Sequence, residues 1–323
     1  MKKIIPSLLL AAAFLASLYL GATQIDNFWS ALLNPGGNEI LWQIRIPRVT
    51  AAVIVGAALG VAGLLAQGAC NNAVAEPAIL GTAAGASFGA VIAISSGLVQ
   101  VGSIGAIASG TAGALAATAV TFKLASIRSA LSSFTLIIVG IAVSAIFTSL
   151  VGIAAAMASR ADARSISFWS LGSLALVTAE NLIGVTFTTV IGLAIAWKIA
   201  PSLDRLSLGD ATAFHLGIDV ARLRLLALIG LSVLAGGAVS TVGSIAFIGL
   251  AAPHIARFMY GPAHRTLVAH SAIIGGLIVV VADTLSRTIA QPNELPIGLA
   301  TALIGAPVLI ALVVVKNNVW RAQ

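Results

Sequence analysis

Few side chains in this sequence could do chemistry, and they are gathered in a few places. Residues 243–268, GSIAFIGLAAPHIARFMYGPAHRTLV, begin as an apolar run and then bring Pro253, His254, Arg257, His264 and Arg265 close together. Asp283 and Arg287 follow, four residues apart, a spacing that lets them pair on one face of a helix. A carboxylate inside a membrane segment is a candidate proton carrier; an ion pair near the outer end of a helix is the structural alternative, and the preferred one. GASFG, Gly85–Gly89, matches the GxSxG pattern that places a nucleophilic serine, here Ser87, on a strand-to-helix elbow. Yet Gly81, Gly85 and Gly89 recur every fourth residue, which makes a flat helix face for close packing. No lysine precedes a serine or threonine, so there is no Walker A loop to cradle ATP phosphates. HExxH is absent, and His215, His254, His264, His270 and the single Cys70 show no metal-ligand spacing. The expectation is a chain that performs no chemistry itself and carries no cofactor or metal.

The elements that hold these residues are membrane helices. Of 323 residues, 59% are hydrophobic and 8% charged, with mean hydropathy +1.08. A soluble domain is roughly half apolar and a quarter charged, so a water-soluble fold is excluded. The composition is rich in Ala and Gly, which suits closely packed helices rather than a barrel. Apolar runs predict an all-α polytopic protein with about ten transmembrane helices. The spans fall near 4–21, 48–68, 78–98, 104–124, 131–158, 182–199, 223–242, 245–259, 269–290 and 297–315. The N-terminal MKKIIPSLLLAAAFLASLYLGA has the outline of a signal peptide; it is read as the uncleaved first span. The net charge of +7 sits at span ends, where lipid headgroups explain it; nucleic acid is not an expected partner.

Basic residues fix an expected orientation. With the N-terminus inside, Lys2, Lys3, Lys123, Arg128, Lys198, Arg205, Arg222, Arg224, Arg257, Arg265, Lys316 and Arg321 fall inside, against Arg45, Arg48, Arg160, Arg164 and Arg287 outside. The C-terminus is then also inside. The connection from Ala22 to Pro47 carries Trp29 and Trp42, suited to a membrane interface. The inner connection APSLDRLSLGDATAFHLGIDVARLR, residues 200–224, reads as short helices: Asp210 can cap one, Gly217 can end it and Asp219 can cap the next. Its Leu203, Leu206, Leu208, Phe214 and Leu216 suggest a knob for a partner, or helices lying on the membrane surface. A short outer or re-entrant helix is expected at about 165–175, with Trp169 at the interface. In the fifth span Gly140, Ser144, Thr148, Gly152 and Ala156 form a small, mildly polar stripe, suited to a pathway wall or to a helix contact.

Three segments together resemble the FecCD-type permeases, the membrane subunits of ABC importers for iron–siderophore, haem and cobalamin. They are RIPRVTAAVIVGAALGVAGLLAQGACNNAVAEPAILG (residues 45–81), LSLGDATAFHLGIDVARLRL (206–225) and the stretch from Gly243 to Pro307. The resemblance implies a cobalamin-importer-like, type II permease fold, one transmembrane domain over residues 1–323, in a bacterial plasma membrane. It implies a second permease subunit as homodimer or close heterodimer, two cytoplasmic ATPase subunits that bind ATP and Mg, and an outer substrate-binding protein. Leu206, Leu208, Gly209, Asp210, Phe214, Leu216, Gly217 and Asp219 would form the ATPase coupling region within 201–224. Arg45, Arg48 and Arg287 would dock the binding protein. Asn72 and Val74 match one gate, Ser132 and Ser133 the other, and Gly140, Ser144, Thr148 and Gly152 the translocation path. Where the family has Asn-Pro-Leu at the first gate, this chain has Asn72-Ala73-Val74. PHIAR and GPAHR then read as the inner end of the eighth span: Pro253 ends or kinks the helix, Arg257 and Arg265 face water and headgroups, and His254 and His264 are polar caps. Ferric siderophore is the expected cargo, with haem next and cobalamin third; the rival is a proton-coupled transporter using Asp283.

Overall fold

The computed structural model describes residues 4–21, 23, 25–127, 132–289, 293–303 and 305–307. Among them every regular element is helical. Lys2, Lys3, Arg128, Lys316, Arg321 and the last part of the tenth predicted span lie outside the described residues.

The helices are α1 (Ile5–Tyr19), α2 (Phe28–Leu33), α3 (Ile46–Cys70), α4 (Thr82–Ser95), α5 (Ile104–Ala125), α6 (Ser133–Met157), α7 (Arg160–Ser170), α8 (Ala179–Leu206), α9 (Asp210–His215), α10 (Val220–Val242), α11 (Ile248–Tyr260) and α12 (His264–Ile289). Residues 297–303 and 305–307 are helical as well. Each of the ten predicted spans meets a helix. Six are long and apolar enough to cross a membrane: the run Ile40–Cys70, α5, α6, α8, α10 and α12. The others are shorter, and α4 and α11 reach only 14 and 13 residues.

α3 is the axis of the bundle, packed by α8, α10, α11 and α12. A π-helical turn, Ile40–Arg45, leads into it. Pro47 follows directly, and a proline has no N–H to give the preceding turn. The wider turn carries the helix past it, with the Ile46 N–H reaching the Leu41 carbonyl. Pro253 is likewise kept inside a helix, so of the two expected outcomes, an end or a kink, the end does not occur. The Gly249 carbonyl it leaves without a helical donor accepts a long, 3.4 Å hydrogen bond from Gln67 Nε2.

The glycines explain how the helices come so near. A Cβ on Gly63 would lie 1.8 Å from the Gly249 carbonyl oxygen, and one on Gly56 would lie 2.3 Å from that of Gly275. A Cβ on Gly85 would sit 2.4 Å from the Ala117 Cβ, and one on Gly89 would sit 2.4 Å from the Ser109 oxygen. Gly85 and Gly89 therefore seat α4 on α5, and GASFG is a packing face as its spacing suggested. A leucine at Gly63 should prevent assembly of α3 with α11, beyond the ~1–3 kcal/mol of ordinary overpacking. A Cβ on Gly152 meets nothing within 4 Å, so Gly152→Leu should leave the fold unchanged. Thermal unfolding and size-exclusion profiles of the two variants in detergent check this contrast.

Candidate functional site

At one end of the bundle three arginines tie α1, α3 and α12 together. Arg48 is nearly buried, at 7% exposure. Its Nε donates to Asp283 Oδ1 at 2.9 Å, and its Nη1 and Nη2 grip the Glu294 carboxylate at 2.9 and 3.0 Å. Asp283, fully buried, also pairs with Arg287 Nε at 3.4 Å, the contact its i, i+4 spacing predicts. Arg287 Nη2 in turn donates to Ser17 Oγ at 2.6 Å and to the Ser17 carbonyl. Arg45 takes a different role. Its Nη1 donates to the carbonyls of Leu18 and Tyr19, at 2.8 and 2.9 Å, and its Nη2 to that of Thr23. The Leu18 and Tyr19 carbonyls finish α1 and lack helical donors, so a cation there satisfies them and suits the helix dipole; that of Thr23 lies just past the helix end. Asp283 is thus held between two guanidiniums, and nothing in this geometry favours a proton relay.

The opposite end carries the knob, smaller than the sequence suggests. α8 continues through Pro201 to Leu206, burying Leu203 and Leu206 in the bundle. One short helix, α9, then stands out. Gly209, at φ +99°, starts it, rather than Asp210. Gly217, at φ +78°, ends it: its N–H reaches the Phe214 carbonyl, and that of Ile218 reaches Ala213, both of which close the turn as a Schellman motif. Asp219 caps α10 through the Arg222 N–H, as predicted. Leu208, Phe214 and Leu216 are exposed at 62, 71 and 52%. Beneath them Arg224, 1% exposed, donates from Nη2 to Asp210 Oδ1 at 2.9 Å and to Ser133 Oγ at 3.1 Å, and from Nε to the Ala69 carbonyl at 3.0 Å. His264 is buried and paired, not a water-facing cap: its Nδ1 lies 2.8 Å from Asp204 Oδ1, which also accepts its backbone N–H at 2.7 Å. Arg257 turns inward to Gln67 Oε1, at 3.0 Å, and His254 Nδ1 lies 2.9 Å from the Leu250 carbonyl.

Between the ends lies a cavity of about 430 Å³ among α4, α6 and α7. Ser144, Thr148 and Gly152 line it with Ser87, Ser167, Ser170 and Ser244. Gly140 does not; its missing side chain lets Ile79 and Leu80 pass close to α6. Asn72 and Val74 sit in the connection from α3 to α4. Asn71, at φ +42°, breaks α3, and Asn72 Oδ1 accepts the Val74 N–H at 3.0 Å, a side-chain turn that orders the segment without a proline. Half-buried Glu76 follows, its carboxyl pushed up to about 7 by burial. Ser132 caps α6 through the Thr135 N–H, and Ser133 meets Arg224. α7 begins and ends about five residues earlier than the expected outer helix.

A model of the FecCD transport family matches residues 9–315. The chain belongs to the FecCD transport family. It is a multi-pass membrane permease of the ABC-importer type. Among FecCD relatives, it is 38% identical to the iron(3+)-hydroxamate import system permease protein FhuB of Bacillus subtilis, over 93% of this chain and 79% of that one. It is 34% identical to the hemin transport system permease protein HmuU of Yersinia pestis, over 95 and 93%. A solved structure described as an inward-facing conformation of a metal-chelate type ABC transporter superposes with TM-score 0.83, at 29% identity over 95% of this chain and 97% of that chain. The type II permease fold expected from sequence is therefore the fold observed.

Three residues of this FecCD chain escaped the sequence reading. Glu294, Gln67 and Asp204 lie far in sequence from the arginines and histidine they meet, and no local spacing announces them. Replacing Asp283 with Asn would leave Arg48 and Arg287 against a neutral amide. Breaking a buried pair in this way costs about 3–5 kcal/mol, so D283N should show a clear fall in unfolding temperature in detergent, read by tryptophan fluorescence.

Proposed function

We propose that this chain is the permease subunit of an ABC importer for an iron chelate, with ferric siderophore as first cargo, haem second and cobalamin third. The observation that carries the reading is α9 set within a family match over nearly the whole chain. A six-residue helix that exposes Phe214, with Leu208 and Leu216 exposed on either side of it, calls for a partner surface. That partner is a cytoplasmic ATPase, two copies per transporter, which binds ATP and Mg. The α9 end is then cytoplasmic, the arginine end faces the binding protein, and both termini are inside, in a bacterial plasma membrane. α6, whose Phe134, Ile138, Ile141, Ile146 and Ile153 are all exposed, faces a second permease subunit as well as lipid. The uncharged wall of Ser144, Thr148 and Gly152 suits a path that holds its cargo weakly and lets it leave.

ATP binding would close the ATPase pair, move α9 and switch the subunits between outward- and inward-facing states. Docking of the binding protein on Arg45, Arg48 and Arg287 stays part of this reading. All three guanidiniums are engaged within the chain, so an incoming carboxylate reaches Arg48 by exchange. Glu294, whose side chain is 44% exposed, is the resident group placed to give way.

The tagged chain, purified in mild detergent, should retain a stoichiometric P-loop ATPase and hydrolyse ATP. F214A with L216A should lose that ATPase while the permease keeps its unfolding temperature. A chain that purifies alone in several detergents, with no nucleotide hydrolysis, would overturn the reading. E294Q should tighten the co-purified binding protein several-fold in a surface-plasmon assay, and R45E should weaken it.

A further inference from the structure

Arg224 is the most deeply buried large charged side chain described, and its described hydrogen-bond partners come from three separate elements. Ala69 lies in the last turn of α3, three residues before Asn72. Ser133 is the first residue of α6, next to the capping Ser132. Asp210 is the first residue of α9, and its side chain is 51% exposed, so this partner reaches the surface that the knob presents. One guanidinium thus joins the knob to both segments that resemble gates.

The chemistry of the group makes this junction stiff. A guanidinium is planar, with donors in fixed directions, and stays charged at any ordinary pH. Buried, it cannot be abandoned by one partner without leaving part of its charge unpaired out of water. A shift of α9 therefore either carries Arg224 and its other partners along or is resisted by them. The neighbouring cation, Arg222, is exposed and reaches none of these groups through a described bond; only its backbone N–H is used, by Asp219. Two other polar contacts lie at this end: His264 with Asp204 links α8 to α12, and Arg257 with Gln67 links α11 to the last turn of α3; neither has a described bond to α9 or to the start of α6.

We propose that Arg224 is a positioning residue that transmits movement of α9 to the α3–α4 connection and to the start of α6. The proposal rests on α9 being the ATPase-coupling element. It separates two arms: the Ala69 bond moves the first segment, and the Ser133 bond moves the second. A purely architectural arginine would support both segments equally in every state and would not make their exposure follow the nucleotide.

The test uses the full permease–ATPase complex in nanodiscs, in a C70S background that removes the sole cysteine. V74C and F134C, both at exposed positions, report the two segments through their reaction rate with a water-soluble maleimide. Each rate is measured without nucleotide and with ADP–vanadate trapped after ATP turnover. In the otherwise unaltered background both rates should change about threefold or more on trapping. R224K keeps a cation, but its three donors leave a single nitrogen and cannot span partners that the guanidinium reaches from separate nitrogens. It should bring both ratios to about one while the complex still assembles and hydrolyses ATP. S133A removes one hydroxyl and should abolish the F134C response alone. Responses that survive in R224K and S133A overturn the proposal, as does loss of assembly, hydrolysis and both responses together in S133A. If R224K does not fold, S133A decides. Rates unaffected by trapping in the C70S background itself would instead defeat the coupling reading, and the transmission with it.

Discussion

A guanidinium taken out of water must find partners in every direction it points, and four are buried among the described residues. That requirement organises both ends of the bundle. At one end Arg48 and Arg287 close on Asp283 and Glu294, so two of the three cations there meet two carboxylates. Arg45 has no carboxylate and uses the loose carbonyls of α1 instead. At the other end Arg224 reads a carbonyl, a hydroxyl and a carboxylate at once. Each set of partners brings together elements remote in sequence, and helix order follows from satisfying them.

Between the ends there is almost no charge, and adhesion comes from closeness. Lipid tails are as apolar as leucine, so helices gain little by merely hiding oily side chains. They gain by touching backbone to backbone, which Gly56 with Gly275 and Gly63 with Gly249 allow. Where backbone leaves the helix inside the bundle, it is shielded by protein. The Ile79–Leu80 passage lies against Gly140, and the Ala78 carbonyl accepts from Ser144. Close packing thus makes room for the short helices α4 and α11, and Ala78, just before this passage, lines the cavity.

Much of this was legible in the sequence, and the reasons differ by residue. Spans are long-range averages of hydropathy, and all ten met helices. The caps at Gly217 and Asp219 follow from local backbone chemistry, and they were found where expected. Asp283 with Arg287 obeyed helical spacing. Leu206 was misplaced because apolar character alone does not say where a helix stops, and α8 ran through Pro201 to bury it. Gly140 shared the stripe of Ser144 and Thr148, but a stripe does not reveal which neighbour fills its groove. The internal partners of Arg45 and Arg48 could not be seen at all, since Arg48 and Glu294 lie 246 residues apart. Arg224 stood in plain view as one of several basic residues; only folding separates it from exposed Arg222.

The two glycines that bracket α9 have a consequence for how such a protein can change. Neither Gly209 nor Gly217 has any atom within 4 Å of where a Cβ would lie, so what they supply is handedness of the backbone, not space. Between them only Ala213 is buried. The segment is therefore a nearly self-contained cassette, hinged at both ends and pinned below by one carboxylate. Its outward side chains can drift, or be swapped wholesale, without disturbing a single helix contact in the membrane. Sequence change in this segment can therefore accumulate while the packing of the bundle stays the same.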